Sequence, residues 1–160
     1  MTKTSQINRL SAHVCASART DTSVIINFTY NGRALQGVAG DTLASALLAN
    51  GVNVVGRSFK YGRPRGIVGH GAEEPNAIMQ IGSGAATVPN LKATQVELYE
   101  GLESASVNGW PSVDFDLMSI AGWFSRLMPP GFYYKTFMYP AKLWMTYEHF
   151  IRKAAGLGRS

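Results

Sequence analysis

The 160-residue chain holds a single cysteine, Cys15. One thiol forms no intrachain disulfide and falls short of the four ligands an iron–sulfur cluster takes, so no such cluster is expected. Zinc sites show paired short ligand spacings. Here His13 and Cys15 stand together while His70 and His149 are far off in sequence, and no metal site is expected. Cys15 reads as a free thiol on a flexible arm, consistent with a reducing, cytoplasmic setting. No run reaches the roughly 18 apolar residues of a membrane span, so no membrane partner is expected. Nucleotide fingerprints are also missing. Gly82-Ser83-Gly84 and Gly69-His70-Gly71 lack the third glycine of a dinucleotide turn, and no Gly-Lys-Ser/Thr phosphate loop exists. The chain ends Leu157-Gly158-Arg159-Ser160, without the terminal Gly-Gly of a ubiquitin-like modifier or sulfur carrier.

Acidic residues are absent from the first 20 positions, which are rich in Ser, Thr and Ala and carry Lys3, Arg9 and Arg19. That composition is similar to a mitochondrial transit peptide; the reading preferred here is a flexible N-terminal arm over 1–22. Hydrophobic residues make up 46 % of the chain, ordinary for a globular protein. The net charge of +5 permits an acidic partner without demanding one. Basic residues are scattered except at 57–65, and the expectation is no nucleic-acid partner.

What is present concentrates in residues 57–76. Four cations, Arg57, Lys60, Arg63 and Arg65, precede two adjacent acids, Glu73 and Glu74. Four glycines and two prolines among them exclude a continuous helix and disfavour a central strand. Long irregular loops in compact domains are usually functional or disordered, and the apolar anchors Phe59, Tyr61, Ile67 and Val68 favour an ordered one. Adjacent carboxylates before a proline cap a turn or meet Arg63 and Arg65 in an ion pair. Arg63, Arg65, Glu73, Glu74 and Asn76 are therefore the loop and interface candidates. No catalytic residue and no metal ligand is assigned, and the cofactor-binding residues are unknown. His70 has no serine or cysteine nearby in sequence to activate.

Val24 to Tyr30 is rich in β-branched and aromatic residues, Asn31-Gly32 is a strong hairpin signal, and Arg33 to Val38 reads as the partner strand. Asp41 or Thr42 can cap a helix over 42–50 that Asn50-Gly51 stops. Residues 76–81 and 94–99 read as strands. Hairpin, crossing helix, loop and further strands make an α+β order. Beyond Gly101 the composition turns aromatic: Trp110, Trp123 and Trp144 all lie there. Helices are predicted over 116–128 and 141–155, with Trp144, Tyr147, Phe150 and Ile151 on one side of the second. This tail holds more large apolar groups than it can bury against itself. They pack either on the domain or, the preferred reading, on a partner. The domain division is thus 1–22, 23–101 and 102–160.

Tyr61-Gly62-Arg63-Pro64-Arg65-Gly66-Ile67, followed by Gly71-Ala72-Glu73-Glu74-Pro75-Asn76-Ala77, resembles the N-terminal region of the α subunit of heterotetrameric sarcosine oxidase. Phe28 to Arg33, Gly40 to Gly51, Pro129 to Phe137 and Trp144 resemble the same region, so the likeness runs over about residues 24–155. Related amine and amino-acid dehydrogenase subunits carry a cysteine-rich, 2Fe-2S-binding loop after Arg-Pro-Arg-Gly. The resemblance narrows the α+β pattern to a β-grasp domain, ubiquitin-like and ferredoxin-like, with a helical, aromatic-rich extension.

The family oxidatively demethylates sarcosine to glycine with tetrahydrofolate as one-carbon acceptor. The complex that this chain resembles holds NAD, FAD and FMN, none of them expected in this segment. Implied partners are the remainder of the α subunit and the other subunits, with the NAD-binding domain following the segment seen here. The expectation is a structural domain without catalysis of its own, either an isolated domain or the product of a truncated or split gene. The competing reading is a small basic nucleic-acid- or nucleotide-binding module built on Arg57 to Arg65 and Tyr61.

Overall fold

The chain turns back on itself at Asn31 and Gly32, which hold φ of 48° and 75°. Left-handed backbone at both central residues matches the twist of the flanking strands and suits Asn-Gly. Strand β1 (Asp21–Tyr30) thereby pairs antiparallel with β2 (Arg33–Ala39), from Tyr30↔Arg33 to Ile25↔Val38. The computed structural model describes residues 8–11, 14, 19–58, 61–117, 120 and 141–154.

Helix α1 (Leu43–Ala49) follows, capped by Thr42. The Thr42 hydroxyl accepts the Ser45 N–H at 3.2 Å, and the Ser45 hydroxyl accepts the Thr42 N–H at 3.0 Å. This reciprocal box satisfies two amides that a helix start leaves open. Leu43, Ala44, Ala46, Leu47 and Ala49 are buried. At Gly37 of β2, a Cβ would lie 2.2 Å from Leu98 Cδ2 and 3.1 Å from Ala46 Cβ. The missing side chain is what lets the helix and the following loop sit this close.

Short β3 (Gly56–Arg57) and β4 (Pro64–Arg65) pair with each other apart from the main sheet. β5 (Ile78–Ile81), a 3-10 turn at Gly84–Ala86, β6 (Val88–Lys92) and β7 (Leu102–Ser106) complete the domain. The five-stranded sheet runs β2-β1-β7-β5-β6. β1 and β7 are parallel, and the remaining neighbours antiparallel. Phe28, Leu35, Met79 and Leu102 from the sheet meet Leu43 and Leu47 from α1 in one core cluster. Each fully buried side chain of this size contributes roughly 1.5–3 kcal/mol. A mixed sheet crossed by one helix is the α+β, β-grasp architecture expected.

Three expectations are corrected. Residues 94–99 form no strand. Their alternation is real, with Thr94 and Leu98 buried and Gln95 and Glu97 exposed. The backbone, however, serves the helix start: Leu43 N–H donates to the Val96 carbonyl at 2.8 Å and Leu98 N–H to the Asp41 carbonyl at 2.9 Å. The fourth and fifth strands of the sheet are instead β6 and β7, both unforeseen. Pro89 lies in β6, which sits at the sheet edge where a missing N–H is tolerated. The domain boundary after Gly101 falls inside the sheet, because β7 lies between β1 and β5.

Parts of the arm and tail are described. Asn8 N–H donates to the Ala49 carbonyl at 3.3 Å, and the Arg9 guanidinium pairs with buried Asp41. Asp41 also accepts the Val38 N–H at 3.0 Å and the Ser45 hydroxyl at 2.8 Å. Most of the predicted helix over 116–128 lies outside the described residues. Helix α2 (Trp144–Ala154) follows a 3-10 turn at Ala141–Leu143, close to the expected span. Trp144, Tyr147 and Ile151 are half-buried, whereas Phe150 is exposed.

Candidate functional site

The loop between β4 and β5 closes on Glu74, which is completely buried. Its Oε2 accepts the N–H of Val68 at 2.7 Å and of Gly69 at 2.5 Å. Its Oε1 accepts the N–H of Asn76 at 2.7 Å and of Ala77 at 3.2 Å. The two pairs of amides come from opposite ends of the loop, and one carboxylate ties them together. Burial pushes the Glu74 carboxyl upward, but the amides of Gly69, Asn76, Val68 and Ala77 outweigh it and hold the group below its ordinary value.

Glu73 does a smaller version of the same work outside. Its Oε1 accepts the N–H of His70 at 3.1 Å and of Gly71 at 3.0 Å. Its own amide and that of His70 lower its carboxyl. A Cβ at Gly71 would lie 2.7 Å from Glu73 Oε2, so glycine there leaves room for the carboxylate to fold back. The His70 ring stands in solvent, 3.5 Å from Glu73.

Neither acid meets Arg63 or Arg65; of the two readings open for this acid pair, the structure shows turn capping. Arg65 Nη1 donates to Asn76 Oδ1 at 3.2 Å, and Asn76 Nδ2 donates to the Gly66 carbonyl at 3.2 Å. Asn76 thus links β4 to the loop's far end. Arg63 lies over the Tyr61 ring, 4.8 Å from its centroid. Ile67 packs against the core, but Val68 is 74 % exposed and anchors nothing. Phe59 and Lys60 lie outside the described residues.

The residue that sequence reasoning missed is Arg57. Its Nε donates to the Val113 carbonyl at 2.6 Å, Nη1 to the Gly62 carbonyl at 2.9 Å and Nη2 to the Asp114 carbonyl at 3.3 Å. Its backbone N–H donates to Asn108 Oδ1 at 2.8 Å. The guanidinium is spent on internal carbonyls, which removes it from the basic surface on which a nucleic-acid reading rested. What it holds is the turn at 110–117. There Leu117 N–H donates to the Trp110 carbonyl at 2.7 Å and Trp110 N–H to buried Asp116 at 3.1 Å. Val113 points inward, while Trp110 and Phe115 are 65 % and 64 % exposed. A well-bonded turn thus presents two large aromatic side chains to solvent.

The model of the 2Fe-2S iron-sulfur cluster binding domain family matches residues 23–109. The chain belongs to that family. It is 57 % identical over 141 residues to the sarcosine oxidase subunit alpha of Rhizobium meliloti (strain 1021), a match covering 88 % of this chain and 14 % of the relative. It is 39 % identical over 113 residues to the sarcosine oxidase subunit alpha of Corynebacterium sp. (strain U-96), covering 69 % of this chain and 12 % of the relative. The chain thus spans about a seventh or less of these relatives' length. L-proline dehydrogenase from P. horikoshii shows a weak structural likeness, with TM-score 0.41 and 22 % identity over 55 % of this chain and 16 % of that one.

Membership corrects the expectation that this segment has no cofactor connection, since its family is a cluster-binding one. The comparisons also name no NAD, FAD or FMN, so that part of the expectation has no support. The residues present do not fit the cluster. The matched region contains no cysteine and one histidine, His70, whose side chain is solvent-exposed. Among the described residues no three His, Cys, Asp or Glu side chains group as metal ligands. In the same residues no helix is long and apolar enough to cross a membrane.

Proposed function

We propose that this chain is the N-terminal structural domain of a sarcosine oxidase α subunit. In this reading it is part of a complex that oxidatively demethylates sarcosine to glycine with tetrahydrofolate as one-carbon acceptor. Its partners are the rest of the α subunit and the other subunits. The observation that carries the reading is the 57 % identity to the Rhizobium meliloti subunit over 88 % of the chain. In this reading the domain's contribution is to hold other parts in place. The turn carrying Trp110 and Phe115 is the contact surface, because a rigid, internally bonded segment presenting two aromatic rings lowers the ordering cost of association.

The test is reconstitution with the remaining α-subunit segment and the other subunits of the Rhizobium meliloti relative. The chain should co-elute with them on size exclusion, and sarcosine oxidation should depend on its presence. The double variant Trp110→Ser/Phe115→Ser should fold normally yet fail to co-elute. Full activity without the chain, or assembly unaffected by the double substitution, would refute the structural role or its surface respectively.

A further inference from the structure

Among the described residues Asp41, Glu74 and Asp116 are the buried acids. Asp41 is paired with Arg9. Among the described residues no cation lies within ion-pair distance of Glu74, and the four contacts its carboxylate accepts are all from main-chain amides. Converging main-chain N–H groups form a concave site for an anion, of the kind proteins use to hold phosphates and clusters. A domain of a cluster-binding family without cluster ligands in the matched region has its loop ends joined by this carboxylate together with flanking contacts. Those contacts include the Thr94 hydroxyl to the Gly71 carbonyl at 2.8 Å, Lys92 Nζ to the Ala72 carbonyl and Asn76 Nδ2 to the Gly66 carbonyl.

We infer that residues 66–77 form a four-amide carboxylate-binding site whose permanent occupant is the Glu74 side chain. The anion that organises this loop is covalently supplied by the chain itself. The ligand class is a small monocarboxylate held in bidentate fashion, one oxygen to Val68 and Gly69, the other to Asn76 and Ala77. Two consequences follow from that geometry. An amide side chain in place of the carboxylate offers one acceptor oxygen and a donor, so it can satisfy one pair of N–H groups but repels the other. Truncation to alanine removes CH₂–COO⁻ beyond Cβ, and acetate has the size and charge to refill the gap.

The experiment measures amide exchange and thermal stability of the whole chain. With Glu74→Gln, exchange should speed up by about tenfold or more at one pair, Val68/Gly69 or Asn76/Ala77, while the other stays protected. With Glu74→Ala all four amides should open, and added sodium acetate should restore their protection saturably. Sodium chloride at equal ionic strength should not, and acetate should leave the wild-type chain unchanged. If Glu74→Ala does not fold in buffer, folding recovered in acetate but not in chloride supports the inference equally. Unchanged exchange at all four amides in Glu74→Gln overturns it, and so does an alanine variant, folded or not, that ignores acetate.

Discussion

Arg57→Ala removes two part-buried charged hydrogen bonds, to Val113 at 2.6 Å and Gly62 at 2.9 Å, and a longer exposed one to Asp114 at 3.3 Å. A hydrogen bond to a charged group contributes roughly 1.5–3 kcal/mol when its partner cannot be replaced by water. Water reaches the exposed carbonyl at little cost, and partly reaches the others once the side chain is gone. The net expected loss is therefore about 1.5–3 kcal/mol. Arg57→Lys keeps the charge but not the fork that spans two carbonyls, and should recover less than half of it. Urea unfolding followed by far-ultraviolet circular dichroism gives the loss. Amide exchange at Ser112 and Leu117, which close the aromatic turn, shows where it falls. The reasoning fails if Arg57→Ala costs less than about 0.5 kcal/mol, the usual range for a surface change, with exchange at 110–117 unaltered.

Gly37→Ala should destabilise the domain by about 1–3 kcal/mol in urea unfolding, the cost of overpacking, because the new Cβ meets Leu98 Cδ2 at 2.2 Å. A Leu98→Val change in the same chain should return part of that loss. Asp41→Ala should cost about 3 kcal/mol, typical of breaking a buried ion pair, since it removes a buried acceptor that Arg9, Val38 N–H and the Ser45 hydroxyl share. The Glu74 carboxyl is lowered on folding, so its contribution is complete above the unfolded value near 4.5 and is lost as pH falls through the lower folded value. Acid titrations of stability should show this limb in the wild-type chain and a flatter one in Glu74→Gln; identical acid limbs would contradict it.

The hairpin and α1 were legible because each is written in local chemistry: Asn31-Gly32 permits the turn, and Thr42 and Ser45 exchange caps. Residues 94–99 misled because alternating burial reports which side chains face the core, not what the backbone bonds to. β7 was hidden by a change in composition just where the sheet required its central strand. At the loop, the acid pair before Pro75 was visible as a cap or an ion-pair member. That Glu74 turns inward and Glu73 outward depends on amides brought together only by folding. Arg57 looked like one of four surface cations because its partners, the carbonyls of Gly62, Val113 and Asp114, carry no side-chain signature.

The parallel pairing of Phe28 with Leu102 has a consequence for how the domain comes into being. β1 and β2 emerge from the ribosome first and can form their hairpin at once, and β5 with β6 can do the same later. Within the sheet neither hairpin is hydrogen-bonded to the other except through β7, the last strand among the described residues. Until Leu102 to Ser106 is available, one long edge of each hairpin stays open to other chains. The apolar side chains of α1 also have only part of their floor. Folding should thus be late, cooperative and dominated by distant contacts. Nascent chains stalled before Ser106 should be protease-sensitive from end to end, with no stable N-terminal half to rescue.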